Sequence, residues 1–321
     1  MSIYKPEGYL LETNENKAAL KSMQSLQDAM DHEKILEARA TVCDAEHNLV
    51  VDLGCMKGII VRNETATGIE EGTTRDIAII SRVNKPVCFQ VTGFEQDQDG
   101  STYATLSRKI VQQRCMREYI ERLSPGDIIP ARVTHLEQFG CFVDIGCGIP
   151  SLIPIDAISV SRISHPKDRF SVGQNIRVVV KEILPKGRIV LSHKELLGTW
   201  EENAALFRSG ETVAGIVRSV EDYGIFVELT PNLAGLAEPK ENVHAGQQAS
   251  VYIKSLIPQK MKVKLIIVDA FDAAYEAEEP VYFVQKSHLD YWRYSPSCSE
   301  RVVETSFTAT PFDQEEDPSF L

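Results

Sequence analysis

Residues 137–146 read EQFGCFVDIG, and residues 221–230 read EDYGIFVELT. Both run acid, polar or acidic residue, aromatic, Gly, spacer, Phe, Val, acid, aliphatic. A self-match of this kind marks an array of similar units. Each copy also sets two aromatics three residues apart around a glycine, an arrangement on which an unstacked base could dock.

Outward from the first copy, residues 126–194 divide into five short alternating runs. They cover 128–136, 141–145, 151–155, 175–184 and, after the Lys186-Gly187 turn, 188–192. Short alternating strands with Gly turns predict an all-β barrel, with Gly140 as a bend or bulge that lets the sheet curl. The second copy repeats this order over 209–268, and its middle connection shrinks from 155–173 to 239–246. Such shortening is cheap in loop-closure entropy.

A third and more distant copy precedes both, with strands at 37–42, 47–54, 58–61, 86–93 and 103–107. VDLG at 51–54 matches VDIG at 143–146, and LSRK at 106–109 matches LSHK at 191–194. His47 and Val50 stand where Phe139 and Phe142 stand, so this barrel is expected to keep its core and lack the aromatic pair.

The resulting organisation is an N-terminal helical segment (1–33), a degenerate barrel (34–109), a helical linker (110–123) and a barrel (124–194). A second helical linker (195–207), a shortened barrel (208–268) and an acidic, aromatic tail (269–321) follow. Ile110, Cys115, Tyr119 and Leu123 lie at near-helical spacing, as do Leu196, Trp200 and Leu206. A helix over 15–33 carries Leu20, Met23, Gln27 and Met30 on one face. These stripes read first as packing against the barrels and second as a groove for a partner. In the tail, VYFVQKSHLDYWRYSP is expected to pack back on the last barrel, with docking of a protein partner as the alternative. Residues 311–321 are expected to be disordered.

Composition bounds the function. The chain has 321 residues, enough for two to four modules. Its 43% hydrophobic and 25% charged residues are ordinary globular values. No apolar run is long enough to cross a bilayer, and MSIYKPEGYLLETNENK lacks the pattern of a secretory leader. Seven cysteines without a CxxC pair suit reduced thiols in the cytoplasm. The net charge of −12 is unevenly spread. Residues 269–321 hold three Lys and Arg against twelve acids, whereas 123–197 hold nine against seven and 206–268 seven against six. The repeated units are therefore slightly basic, which permits salt-sensitive phosphate binding.

A barrel face with exposed aromatics and scattered cations suits single-stranded nucleic acid, because rings stack bases and cations hold phosphates. In the first copy the candidates are Phe139, Phe142, Lys181 and Arg188. In the second they are Tyr223, Phe226 and Lys254, with Lys260 or Lys262 near the turn. The alternative, that one ring of each pair fills the barrel, stays open because a glycine can shift the alternation. Arg162, His165, Lys167 and Arg169 form a basic loop that either touches RNA or is simply solvated. Ser192-His193 has no acid partner for nucleophilic catalysis. His135, Cys141 and Cys147 have no zinc-ligand spacing, and no Gly-rich phosphate loop is present. No catalytic residue, metal or cofactor is expected.

QFGCFVDIG with SLIP, VGQNIRVVVKEI and GRIVLSHK, and DYGIFVEL with AGLAE and VYIKSL, resemble S1-type RNA-binding domains. The resemblance implies tandem five-stranded OB-fold barrels. It implies RNA binding through Phe139, Phe142 and Arg188, then Tyr223 and Phe226. That family's His after the third strand is Pro154 here and Glu238 in the last unit, which implies altered stacking and, at Glu238, repulsion of phosphate. The order of units is similar to a short bacterial form of the ribosomal protein S1 family, carried by GIEEGTTRDIAIISRVNKPVCF, ISVSRISHPKDRFSVGQ and DYWRYSPSC. This implies a cytoplasmic, non-enzymatic protein that holds mRNA at the 30S subunit, with no membrane partner. The alternatives are a protein-binding adaptor or regulator in RNA metabolism or transcription, and barrels that guide RNA to a nuclease centre.

Overall fold

The structure, a computed structural model, describes residues 3–273 and 279–307. Two short helices, α1 (Asn14–Ala19) and α2 (Met23–Asp31), lead into three closed barrels. Barrel 1 consists of β1 (Leu36–Cys43), β2 (Leu49–Asp52), β3 (Lys57–Ile60), β4 (Pro86–Gln96) and β5 (Thr102–Ser107), with α3 (Ile77–Ile80) in its long connection. After α4 (Arg108–Glu118), barrel 2 follows as β6 (Ile128–Glu137), β7 (Gly140–Asp144), β8 (Pro150–Pro154), β9 (Asn175–Leu184) and β10 (Arg188–Ser192). Beyond α5 (Trp200–Ala204) comes barrel 3: β11 (Thr212–Glu221), β12 (Gly224–Thr230), β13 (Leu233–Ala237), β14 (Gln248–Ile257) and β15 (Lys262–Phe271). A small ribbon of β16 (Tyr291–Arg293) and β17 (Glu304–Ser306) ends the described chain.

All three barrels share one closure. Three strands meander, and the third pairs in parallel with the fifth, the topology of an OB barrel. The cores follow from alternation: on β15, Val263, Leu265 and Ile267 point inward while Lys262, Lys264 and Ile266 face out. Each barrel also bears a bulge at the same place on its first strand, between Ala40 and Val42, Val133 and His135, and Val217 and Ser219. A bulge adds twist and lets a sheet coil shut.

The bend expected at Gly140 is therefore on the neighbouring strand. Gly140 has a different task. A Cβ there would lie 2.5 Å from the Ile153 carbonyl oxygen, and one at Gly224 would lie 2.7 Å from that of Ala237. Glycine lets the second strand press against the third.

The helical segments are shorter than the stripes predict. The stretch 15–33 breaks at Leu20–Ser22, where Ser22 and Ser25 form a capping box that starts α2 afresh. Leu26 and Ala29 are the buried face, and Met23 is exposed. In 110–123 the helix α4 begins at Arg108 and gives way to a 3-10 turn at Ile120–Arg122. The linker 195–207 splits at Gly198 into a 3-10 turn and α5, with Leu206 exposed. Past the predicted end of barrel 3, β15 continues to Phe271 and pairs with Gln248.

The aromatic tail does pack back. Trp292, Tyr294 and Phe307 join the barrel 3 core cluster, while Tyr282 reaches His193 and Arg177 of barrel 2. The 311–321 segment lies outside the described residues.

Candidate nucleic-acid interface

Alternation on β7 buries Cys141 and Val143, so the Phe142 ring points outward between them. Phe139, in the turn before β7, is 57% exposed. The two rings meet edge to face at 90°, with centroids 5.9 Å apart. The barrel 3 pair repeats this geometry: Tyr223, 68% exposed, stands at 85° and 6.2 Å from Phe226. Cys141 and Ile225, both fully buried, fill the cores instead. An orthogonal pair with one open ring offers a face for one base and an edge for its neighbour.

Strand pairing extends each platform sideways. Phe142 lies opposite Leu152, which neighbours Val190 on β10. Arg188, exposed and two residues before Val190, shares that outer face. On the other side the bulge in β6 turns His135 outward opposite Phe142, with ring centroids 6.4 Å apart. Its Nε2 lies 2.6 Å from Glu137 Oε1. His135 was legible only as a failed zinc ligand. Its place beside the aromatics depends on the bulge, which no turn residue announces.

In barrel 3 the same row runs Ser219, Phe226, Leu236, Lys264. Lys264, missed in the sequence, takes the place of Val190 and brings a cation into line with the platform. Lys181 and Lys254 occupy equivalent positions. Each is the extra residue of a bulge on its fourth strand, Lys181 half-buried and Lys254 exposed. The bulge puts the acid Glu182 opposite Val190.

Arg162 is exposed in the connection after β8. Arg169, from the same basic loop, is 7% exposed, and its guanidinium binds Glu228 of barrel 3. Arg218 adds two bonds to Glu228, Nε to Oε2 at 2.9 Å and Nη2 to Oε1 at 3.1 Å, and lies 3.6 Å from Asp168. Burial holds the Arg169 pKa below its usual value despite Glu228. Arg169 thus belongs to the joint between barrels 2 and 3, away from the aromatic face.

The acid of the repeated phrase works the same way in barrel 2. Asp144, at the position of Glu228, accepts the Glu7 backbone N–H at 2.7 Å from an N-terminal strap. The strap's Glu7 carboxylate in turn binds Arg108 at 2.6 Å, Arg82 at 3.2 Å and the Cys88 N–H at 3.1 Å. Burial and the nearby Glu7 charge raise Asp144 to about 7. Barrel 1 differs on both counts. Asp52 is exposed, and His47, with φ 63°, turns its imidazole to 3.8 Å from Asp76. The expected loss of the aromatic pair is evident there.

The three barrels share one OB-type closure, and the S1 RNA binding domain family matches residues 122–194, which contain barrel 2. Over 264 residues the chain is 29% identical to the small ribosomal subunit protein bS1 of Staphylococcus aureus strain COL, covering 77% of this chain and 64% of that protein. With the same coverage it is 30% identical to bS1 of Staphylococcus haemolyticus strain JCSC1435. The chain thus spans just under two thirds of the length of these curated relatives. A multidomain protein with nucleic acid binding domains from Streptococcus pneumoniae TIGR4 aligns over 74% of each chain, at 16% identity and a TM-score of 0.25. Among the described residues no helix is long and apolar enough to cross a membrane.

Proposed function

We propose that this chain holds single-stranded RNA on the outer faces of barrels 2 and 3, acting as a non-enzymatic mRNA-binding protein at the small ribosomal subunit in the cytoplasm. The observation that carries this reading is the edge-to-face aromatic pair, built twice in the same place with an open ring each time. Stacking on such rings contributes ~1–3 kcal/mol per base. Two modest sites joined by a short, packed linker reinforce each other through effective concentration along one strand. The similarity to bS1 supports the ribosomal setting.

The test is the binding of a fluorescent single-stranded RNA to Phe139→Ala/Phe142→Ala. A tenfold or larger loss is expected, and unchanged affinity would sink the site assignment. Incubating labelled RNA with the protein and a divalent metal checks the non-enzymatic part; cleavage would overturn it.

A second reading, a protein-binding adaptor, is favoured by the missing aromatic pair of barrel 1 and the acidic tail. Co-sedimentation with ribosomes that survives RNase, together with no affinity for free RNA, would establish it over the first.

A further inference from the structure

Resting on that RNA-binding reading, we propose that the RNA track of barrel 3 does not end at Tyr223 and Phe226. It continues over β13 and β15 to Tyr252 on β14, which stacks a further base.

The register supplies the route. Phe226, Leu236 and Lys264 are lateral neighbours, all facing outward. One outward step along β15 from Lys264 is Ile266, 44% exposed, and its partner on β14 is Tyr252, 38% exposed. Lys254 and Lys262 flank the same hairpin, and among the described residues neither they nor Lys264 has an ion-pair partner. Exposed rings and aliphatic side chains alternating with free ammonium groups match a polyanion whose bases are unpaired. Glu238 directly follows Ala237, the neighbour of Leu265, and so borders the track near Ile266. Its charge disfavours a phosphate beside Ile266 itself, while Lys240, held on the Ile267 and Val268 carbonyls at 3.0 and 2.8 Å, lies just beyond it.

Barrel 2 lacks this extension for a visible reason. The residue equivalent to Tyr252 is Val179, opposite Ser192 as Tyr252 is opposite Ile266, and paired with Ile128 as Tyr252 is with Thr212. Val179 is fully buried in a cluster with Leu196 and Trp200, packed by Tyr282 and Leu289 of the tail. The linker and tail roof over that face in barrel 2. In barrel 3 it is open among the described residues, and it carries a tyrosine instead of a valine.

The test uses the full chain in a Phe139→Ala/Phe142→Ala background, so that barrel 3 dominates binding. Uridine oligomers of about six and about twelve nucleotides are compared, lengths that bracket the footprint of one OB barrel. Tyr252→Ala is expected to weaken the longer oligomer roughly five- to a hundredfold and leave the shorter one unchanged, with Tyr252→Phe restoring affinity. Lys264→Gln should lower the slope of log K against log salt by about 0.7 for the longer oligomer. If Tyr252→Ala binds both lengths like its parent while Tyr223→Ala/Phe226→Ala weakens both, the track ends at the platform and this proposal fails alone. If neither variant matters, or the background binds no RNA, the RNA reading of barrel 3 fails with it. Loss of self-association in Tyr252→Ala, with RNA affinity intact, would reassign the face to a second copy of the chain and overturn the proposal.

Discussion

At the scale of single residues, the two copies of the phrase combine three different jobs in ten positions. The aromatics face solvent, the glycine permits strand contact, and the acid reaches a different unit. The aromatic pair was legible because it recurs, but which way the rings point was not. Alternation counts residues, and the bulge between Val133 and His135 changes the count on the partner strand without a sequence signal. Gly140→Ala should destabilise barrel 2 by roughly 1–3 kcal/mol, since its Cβ would meet the backbone oxygen of Ile153. Chemical denaturation measures this, and Gly224→Ala should behave alike. His193 carries a second prediction. Burial, outweighing its contact with the Ile158 carbonyl and helped by Arg169, lowers its pKa to about 4. The folded pKa is below the unfolded 6.5, so this stability is present above about 6.5 and is lost as pH falls toward 4, by at most about 3 kcal/mol. Thermal melts of His193→Phe should therefore fall less between pH 6.5 and 4 than those of the parent.

At the scale of elements, strands were easier to read than helices. Five alternating runs with Gly turns have few other solutions. The apolar stripes of the linkers, by contrast, were real as buried contacts yet overstated as helix length. Local caps ended them: Ser22 restarts α2, and Gly198, in a left-handed conformation that a side chain resists, separates the turn from α5. The basic loop after β8 looked uniform in sequence, but it divides into an exposed Arg162 and a buried Arg169. Only the neighbouring barrel, distant in sequence, supplies the Glu228 that makes burial tolerable. Glu228→Ala leaves two arginines facing each other with their main partner gone, and should cost about 3–5 kcal/mol. Differential scanning calorimetry should register it as an earlier transition of barrels 2 and 3, with the barrel 1 transition unmoved.

At the scale of the whole molecule, the platforms matter through their connection. Pairing two sites along one strand predicts that RNA long enough to touch both binds more tightly than either half, and that Phe139→Ala/Phe142→Ala removes the gain for RNA longer than the barrel 3 track. Isothermal titration with oligomers of increasing length checks it. The joints also give the chain a direction. The acid of each phrase looks backward, Asp144 to the N-terminal strap and Glu228 to the Arg169 loop of the unit before, while Asp52 in the leading barrel is exposed and accepts the Gly54 N–H of its own turn. The units are therefore not beads that can be unthreaded in any order. Removing an upstream piece takes the Glu7 strap from Asp144 or the Arg169 contact from Glu228, which keeps Arg218, whereas removing barrel 3 takes Glu228 away from the buried Arg169. Dissection of this molecule into parts will report different stabilities depending on the side from which it is cut.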